Sequence, residues 1–291
     1  MKPASLIVAS MRPGQWVKNT LVFAPLIFAM RVGDPEAVVR VAFTFVLFCL
    51  LAGGVYLIND VLDRDRDREH PLKKKRPVAS GALPARTAAT AGGAAAFLAV
   101  AASLFLGPGL ALTMAGYLAL NFAYSRYLKN LVIIDVMAIA AGFLLRVVAG
   151  AQAIPVAVSF WLLLCTGLLA LFLAFGKRRH ELLLLEVDAS AHRPILDEYS
   201  PYFLDQMIAV ASTSTVIAYA LYTISPDVRE KLGTSWLSLT IPFVLYGIFR
   251  YLYLIHQKDL GGDPTETILT DPPLLVNILL WVVAVLLLLS L

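Results

Sequence analysis

Residues 37–67 read AVVRVAFTFVLFCLLAGGVYLINDVLDRDRD. A mostly apolar block of about 22 residues, enough to cross a hydrocarbon core of about 30 Å as a helix, runs straight into a dense set of carboxylates. Similar blocks recur along the whole chain. Of its 291 residues 59% are hydrophobic and only 15% charged. Soluble domains hold about 45–50% apolar and about 25% charged residues, so such a fold would lack polar surface. The mean hydropathy of +0.77 agrees. Disorder is excluded because the chain is neither polar nor charge-dense. The composition defines an all-α, polytopic membrane protein.

Length bounds the architecture to at most about ten helices and a single transmembrane domain over residues 1–291. The pattern predicts about nine helices, at 14–31, 37–58, 86–106, 109–128, 131–152, 157–176, 203–224, 234–255 and 272–291. In the first, the purely apolar part Leu21–Met30 covers only about 15 Å, so the helix must begin near Pro13 and carry Trp16, Lys18 and Asn19 into the interface. Cys49 and Cys165 both lie in apolar blocks, which predicts neither a disulfide framework nor a CxxC metal site. MKPASLIVASMRPGQW holds too short an apolar run for a secretion signal, so a retained N-terminus is expected.

Nine crossings place the termini on opposite sides. With the N-terminus inside, 19 of the 24 Lys and Arg residues fall on the inner side, Arg31, Arg40, Arg229 and Lys231 outside, and Arg146 within a span. The positive-inside rule then puts the N-terminus and the long loops 59–85, 177–202 and 256–271 in the cytoplasm, and the C-terminus outside the plasma membrane.

The chemistry concentrates at NDVLDRDRD, 59–67. On a helix, with Asn59 at zero, Asp60 falls at about 100°, Asp63 at about 40° and Asp67 at about 80°, while Asp65 points away near 240°. Four hard oxygen ligands within one quarter of a helix suit Mg²⁺, which binds phosphates through one or two carboxylates. The alternative is a solvated helix end whose Asp and Arg residues pair. Asn59 and Asp60 argue against it, because they follow GGVYLI directly, where polar burial is expensive unless functional. His70-Pro71 ends the helix, and His70 is read as turn packing rather than as a ligand.

Lys73, Lys74, Lys75 and Arg76 follow at once. Such a run often contacts lipid headgroups; beside a magnesium site it can equally grip phosphate, where Arg offers bidentate geometry. Arg12, Lys18, Arg126, Lys129, Lys177, Arg178 and Arg250 converge on the same face. Together they can form a cationic rim, which suits a substrate with several phosphate groups. Within the fifth span, Asp135 and Arg146 stand eleven residues apart, about 20° in rotation and about 16 Å in rise. They mark either a polar path or, for Arg146, pairing with a neighbouring helix. Gly142 and Gly150 on that helix allow close packing. Tyr124, Arg66 and Glu181 are further candidates whose roles stay open.

NDxxDxxxD at the inner end of the second span resembles the UbiA-type intramembrane prenyltransferase superfamily. The finer pattern is similar to its decaprenyl-phosphate phosphoribosyltransferase branch, which serves cell-wall arabinan synthesis. RPGQWVKNTLVFAPL (12–26), NDVLDRDRDREHPLKKKRPVASG (59–81), YSRYLKNLVIIDVMAIAAGFLLRVVAG (124–150), GKRRHE (176–181) and RYLYLIHQKDLGGDPTE (250–266) carry the likeness. The resemblance implies transfer of 5-phosphoribosyl from phosphoribosyl diphosphate to a polyprenyl phosphate, with release of diphosphate. Asn59, Asp60, Asp63 and Asp67 would hold Mg²⁺ on the leaving group. Lys18, Lys73, Arg76, Lys129, Lys177, Arg178 and Arg250 are assigned to phosphates, and Asp135 joins the catalytic set. Typical superfamily members carry a second acidic motif after the sixth span. Here the basic GKRRHE stands in that place, and the remaining D-x-x-x-D, Asp259 to Asp263, lies in another loop.

Two other functions share parts of this pattern. A prenyltransferase moving an isoprenoid from its diphosphate to an aromatic acceptor expects the missing acidic motif. A non-enzymatic transporter or lipid-binding protein expects inverted repeats and broken helices at mid-membrane, and the sequence shows neither. The expected partners are the two substrates and the membrane, with no nucleic acid; a homo-oligomer is compatible with the pattern.

Overall fold

The computed structural model describes residues 3–69, 73–187 and 194–290, so His70 lies outside the described residues. Its helices, in chain order, are α1 (Pro3–Ser10), α2 (Ala24–Phe28), α3 (Pro35–Leu62), α4 (Arg64–Glu69), α5 (Ala85–Ser103), α6 (Pro108–Arg126), α7 (Ile134–Ala153), α8 (Phe160–Val187), α9 (Pro201–Ile224), α10 (Pro226–Leu232), α11 (Ile241–Gln257), α12 (Pro264–Thr270) and α13 (Pro272–Ser290). Shorter 3₁₀ turns join them, and among the described residues there is no strand.

Among the described residues, seven helical segments are long and apolar enough to cross a membrane: Pro35–Leu62, Ala85–Ser103, Ile134–Ala153, Phe160–Leu184, Pro201–Ile224, Trp236–Gln257 and Pro272–Leu289. Two of the nine expected spans fall outside that set. Helix α6 has the length, 19 residues, but its glycines, tyrosines and Asn121 dilute its hydropathy. The stretch expected as a continuous helix over 14–31 is instead a 3₁₀ helix, Pro13–Phe23, followed by the five-residue α2. Pro25, which lacks an N–H, stands at the start of α2, where no α-helical turn is needed before it. The segments expected as loops also carry structure: α8 continues through GKRRHE, and α12 occupies part of 256–271.

Local chemistry sets the boundaries. Asp34 caps α3 by accepting from the backbone N–H of Glu36 and Ala37 at 3.0 and 3.2 Å, with Pro35 in the first turn. Helix α3 ends at Asp63, whose backbone (φ −94°, ψ 5°) leaves the helical region before α4 begins. Ser200 and Asp263 cap α9 and α12 in the same way as Asp34.

One apolar core, with Phe48, Leu51, Leu110 and Met114, binds α3, α5, α6 and α7. A second, with Phe172, Leu204, Ile208 and Tyr251, binds α8, α9, α11 and α13. Helices α3 and α5 meet almost backbone to backbone: a methyl group on Gly54 would lie 2.7 Å from the Gly92 carbonyl oxygen. Outside the bundle Phe97, Phe105, Leu112 and Phe160 are at least 70% exposed, as lipid-facing side chains must be. Close packing inside and bare apolar surface outside hold the acidic end of α3 rigidly against its neighbours.

Candidate active site

The acidic stripe divides at the break after Leu62. Asp60 and Asp67 turn inward and are each 3% exposed. The Arg76 Nη1 donates to Asp67 Oδ2 at 2.6 Å and lies 3.4 Å from Asp60 Oδ1. Arg12 also donates to Asp60 Oδ1, and its guanidinium stacks 4.7 Å from the Tyr56 ring centre. Asn59 accepts from the Ser125 hydroxyl at 2.8 Å. Asp63, at the break, faces Lys129 at 3.5 Å. Asp65 is turned outward with Arg64 and Arg68 as partners, and Arg66 is exposed.

Asp60 and Asp67 therefore converge on a single cationic nitrogen. Two carboxylates with Asn59 beside them fit Mg²⁺, which takes one or two carboxylates and completes its shell with water and phosphate oxygens. Among the described residues no three His, Cys, Asp or Glu side chains cluster tightly enough to hold a metal alone.

The 3₁₀ helix forms a second wall. With three residues per turn, side chains at i and i+3 eclipse. Gly14, Val17 and Thr20 make an exposed edge, while Trp16, Asn19 and Val22 face the bundle, the last two fully buried. Arg12, Gln15 and Lys18 fall on the remaining edge. Val22 is fixed by Gly150, where a Cβ would collide with the Val22 carbonyl oxygen at 2.0 Å. Lys18 lines a cavity of about 140 Å³ with Tyr56, Tyr117, Asn121, Tyr124 and Arg146. Gln15 donates to Asp263 Oδ2 at 2.5 Å.

Asp263, which the sequence reading sets aside as lying in another loop, is brought to the 3₁₀ helix by this contact. It lies in a loop far from the first motif, yet a Cβ added at Gly261 would lie 3.1 Å from His180 Cβ and 3.3 Å from the Gly176 carbonyl oxygen, so the bare glycine lets the loop fold inward against α8. Burial would raise the Asp263 carboxyl, but Lys18, the Gln15 amide, the Thr265 backbone N–H and Lys177 together hold it below the usual carboxylate value. The D-P-T-E cap at 263–266 was legible as a helix start; the long-range approach was not.

Other expected ligands are occupied elsewhere. Arg178 is 1% exposed and donates to Asp135 Oδ2 at 2.6 Å, to Glu181, and to the Tyr124 hydroxyl at 2.9 Å. The Tyr199 hydroxyl donates to Asp135 Oδ1 at 2.8 Å and accepts the Ile133 N–H at 2.7 Å. Asp135, with no exposed surface, and Arg178 thus form a sealed network that ties α7 to α8 and α6. Arg146 is likewise enclosed, by Asn19, the Gly142 carbonyl and Tyr117 at 2.7–2.9 Å. Arg250 grips both Asp271 oxygens, 3.1 and 2.8 Å away, joining α11 to the start of α13. Arg178 and Arg250, both assigned to phosphates from the sequence, are thus paired with carboxylates here. Lys73 opens the turn leading to Arg76, and Lys177 lies 3.9 Å from Glu181.

An all-helical membrane bundle with an acidic pair set among cations at the end of its longest apolar helices defines a class. Residues 20–267 match the UbiA prenyltransferase family, and the chain belongs to it. Among its relatives, the decaprenyl-phosphate phosphoribosyltransferase of Mycolicibacterium smegmatis is 35% identical, over 95% of this chain and 90% of that protein. The protein of the same name from Corynebacterium glutamicum is 37% identical, over 95% and 84%. A UbiA homologue from Archaeoglobus fulgidus, solved with DMAPP and Mg²⁺, superposes with a TM-score of 0.73 at 18% identity, over 98% of this chain and 99% of that one; it shows the fold.

Proposed function

We propose that this protein transfers the 5-phosphoribosyl group from phosphoribosyl diphosphate to a polyprenyl phosphate and releases diphosphate. The observation that carries the proposal is the convergence of Asp60 and Asp67, ringed by Arg12, Arg76 and Lys129. The names of its curated relatives support the same reading.

In this proposal Asp60 and Asp67, with Asn59 and Asp63 beside them, would hold Mg²⁺, and the bound ion supplies Lewis-acid stabilisation of charge on the departing diphosphate. Arg12 and Arg76 already reach these carboxylates, so their guanidinium forks stand where diphosphate oxygens would arrive. Lys129, Lys18, Lys73 and Lys177 add charge around the same mouth. Their combined field holds two mutually repelling anions in register for substitution at the anomeric carbon. The acceptor phosphate is already ionised and needs no strong general base. Asp135 and Arg178 act by fixing Tyr124 and α7, not by touching substrate.

The membrane arrangement belongs to the same proposal. Helix α6 and the broken 13–28 segment would complete nine crossings, with the N-terminus and the acidic pair cytoplasmic and the C-terminus outside a plasma membrane. The decisive experiment incubates purified protein with labelled phosphoribosyl diphosphate and decaprenyl phosphate, and in parallel with prenyl diphosphates and aromatic acids. A labelled polyprenylphosphoryl-5-phosphoribose in the lipid phase is the expected product. A prenylated aromatic product instead would overturn the proposal.

A further inference from the structure

Asp263 has no place in the chemistry derived above. It brings a further carboxylate, one not assigned to the metal, to the cation-rich mouth, where a diphosphate alone would be repelled by it. Its oxygens accept from the Gln15 amide at 2.5 Å and the Thr265 N–H at 2.9 Å, and its charge is felt at Lys18, Tyr56 and Tyr251. Beside Gly176, on which the loop packs and where an added Cβ would lie 3.6 Å from Tyr251 Cε1, the Tyr251 hydroxyl, on a residue 2% exposed, has no hydrogen-bond partner among the described residues. Native structures seldom leave a buried hydroxyl unpaired. The site therefore combines a strong acceptor, an amide that can both donate and accept, and a phenol still lacking a partner. Such a set suits neutral hydroxyl groups; a carboxylate in dinucleotide-binding folds reads ribose hydroxyls by the same logic.

We infer that Asp263 and Gln15 form a sugar-hydroxyl subsite that selects a phosphoribosyl donor over a prenyl diphosphate. The inference rests on the proposed reaction and adds to it the groups that read the sugar. Gln15 and Lys18 project from one edge of the 3₁₀ helix, so hydroxyl recognition and phosphate recognition are held in fixed register. A prenyl chain offers no hydroxyl and would leave the Asp263 carboxylate without a ligand donor.

The test compares two ligands on the full-length protein in nanodiscs with Mg²⁺: phosphoribosyl diphosphate and inorganic diphosphate. Asp263→Asn keeps the size of the side chain and its cap on Thr265, and Gln15→Ala supplies an independent variant. Both should weaken phosphoribosyl diphosphate about tenfold or more. Inorganic diphosphate should bind as before, or more tightly to Asp263→Asn, because a negative charge has gone. Phosphoribosyl diphosphate affinity within about twofold of wild type in both variants, or equal weakening of the two ligands, overturns the subsite. Wild-type protein that binds a prenyl diphosphate but not phosphoribosyl diphosphate would instead defeat the proposed reaction, so the two failures are distinct.

Discussion

Two carboxylate–arginine assemblies stand on neighbouring helices, and their difference is burial. In the first, Arg12 and Arg76 are each 30% exposed while Asp60 lies beneath them at 3%. In the second, Arg178 is 1% exposed and Asp135 not at all. Water reaches the first pair of guanidinium groups, so a ligand can replace one partner with another at small cost. The second is closed by Glu181, Tyr124 and Tyr199. Identical residue types are thus open to solvent in one assembly and locked into the scaffold in the other.

Removing one member of the sealed network should have the largest effect. Asp135→Ala strips the buried Arg178 of its Nε partner, leaving it Glu181 and Tyr124, and should cost about 3 kcal/mol of stability, whereas Asp135→Leu with Arg178→Met should regain most of it. Thermal unfolding in detergent reads both. The open pair should behave in the opposite way: Asp67→Ala should lower turnover at least about 100-fold while unfolding close to wild type. Loss of folding there, with activity retained per folded molecule, would erase the distinction.

Smaller changes sharpen it. Tyr199→Phe removes one donor to Asp135 and the acceptor for Ile133, an expected loss of about 1–3 kcal/mol with KM unchanged. Lys129→Ala should cut kcat/KM about tenfold and shift stability by less than about 1 kcal/mol, since Asp63 is 37% exposed. The smallest effect concerns Arg250, whose hydrogen bonds hold the Asp271 carboxyl below its ordinary value of 3.8. That contact stabilises the fold above the unfolded-chain value and is lost as pH falls through the lower folded one. Wild type should therefore unfold later than Asp271→Asn at pH 7, with the gap closing in strong acid.

Much of this was legible in the chain. The apolar blocks gave most helices to within a few residues, because a helix in lipid must satisfy its own backbone. Helical spacing put Asp60, Asp63 and Asp67 on one side; Asp60 and Asp67 do turn inward together, but the break at Asp63 leaves that residue half-buried and facing Lys129. What spacing could not disclose was long-range closure. Nothing in GGDPTE announces that Asp263 meets Gln15, since that contact depends on glycines 261 and 262 yielding space to His180. Nor could composition separate Arg178 from Lys177, adjacent in sequence but placed on different sides of α8. The winding of 13–23 also escaped, because α and 3₁₀ helices share a pattern over so few turns.

That winding sets a rule about chain length. A 3₁₀ helix rises about 2.0 Å per residue and repeats every three, so Arg12, Gln15 and Lys18 stand like teeth of a comb, each meshed with a different piece of the molecule. Exchange of Val17 or Thr20 on the outer edge leaves the comb intact. One residue inserted between Gly14 and Leu21 rotates every later tooth by about 120° and unmeshes them together. Substitution can drift freely along the outer edge of this segment; insertion and deletion cannot.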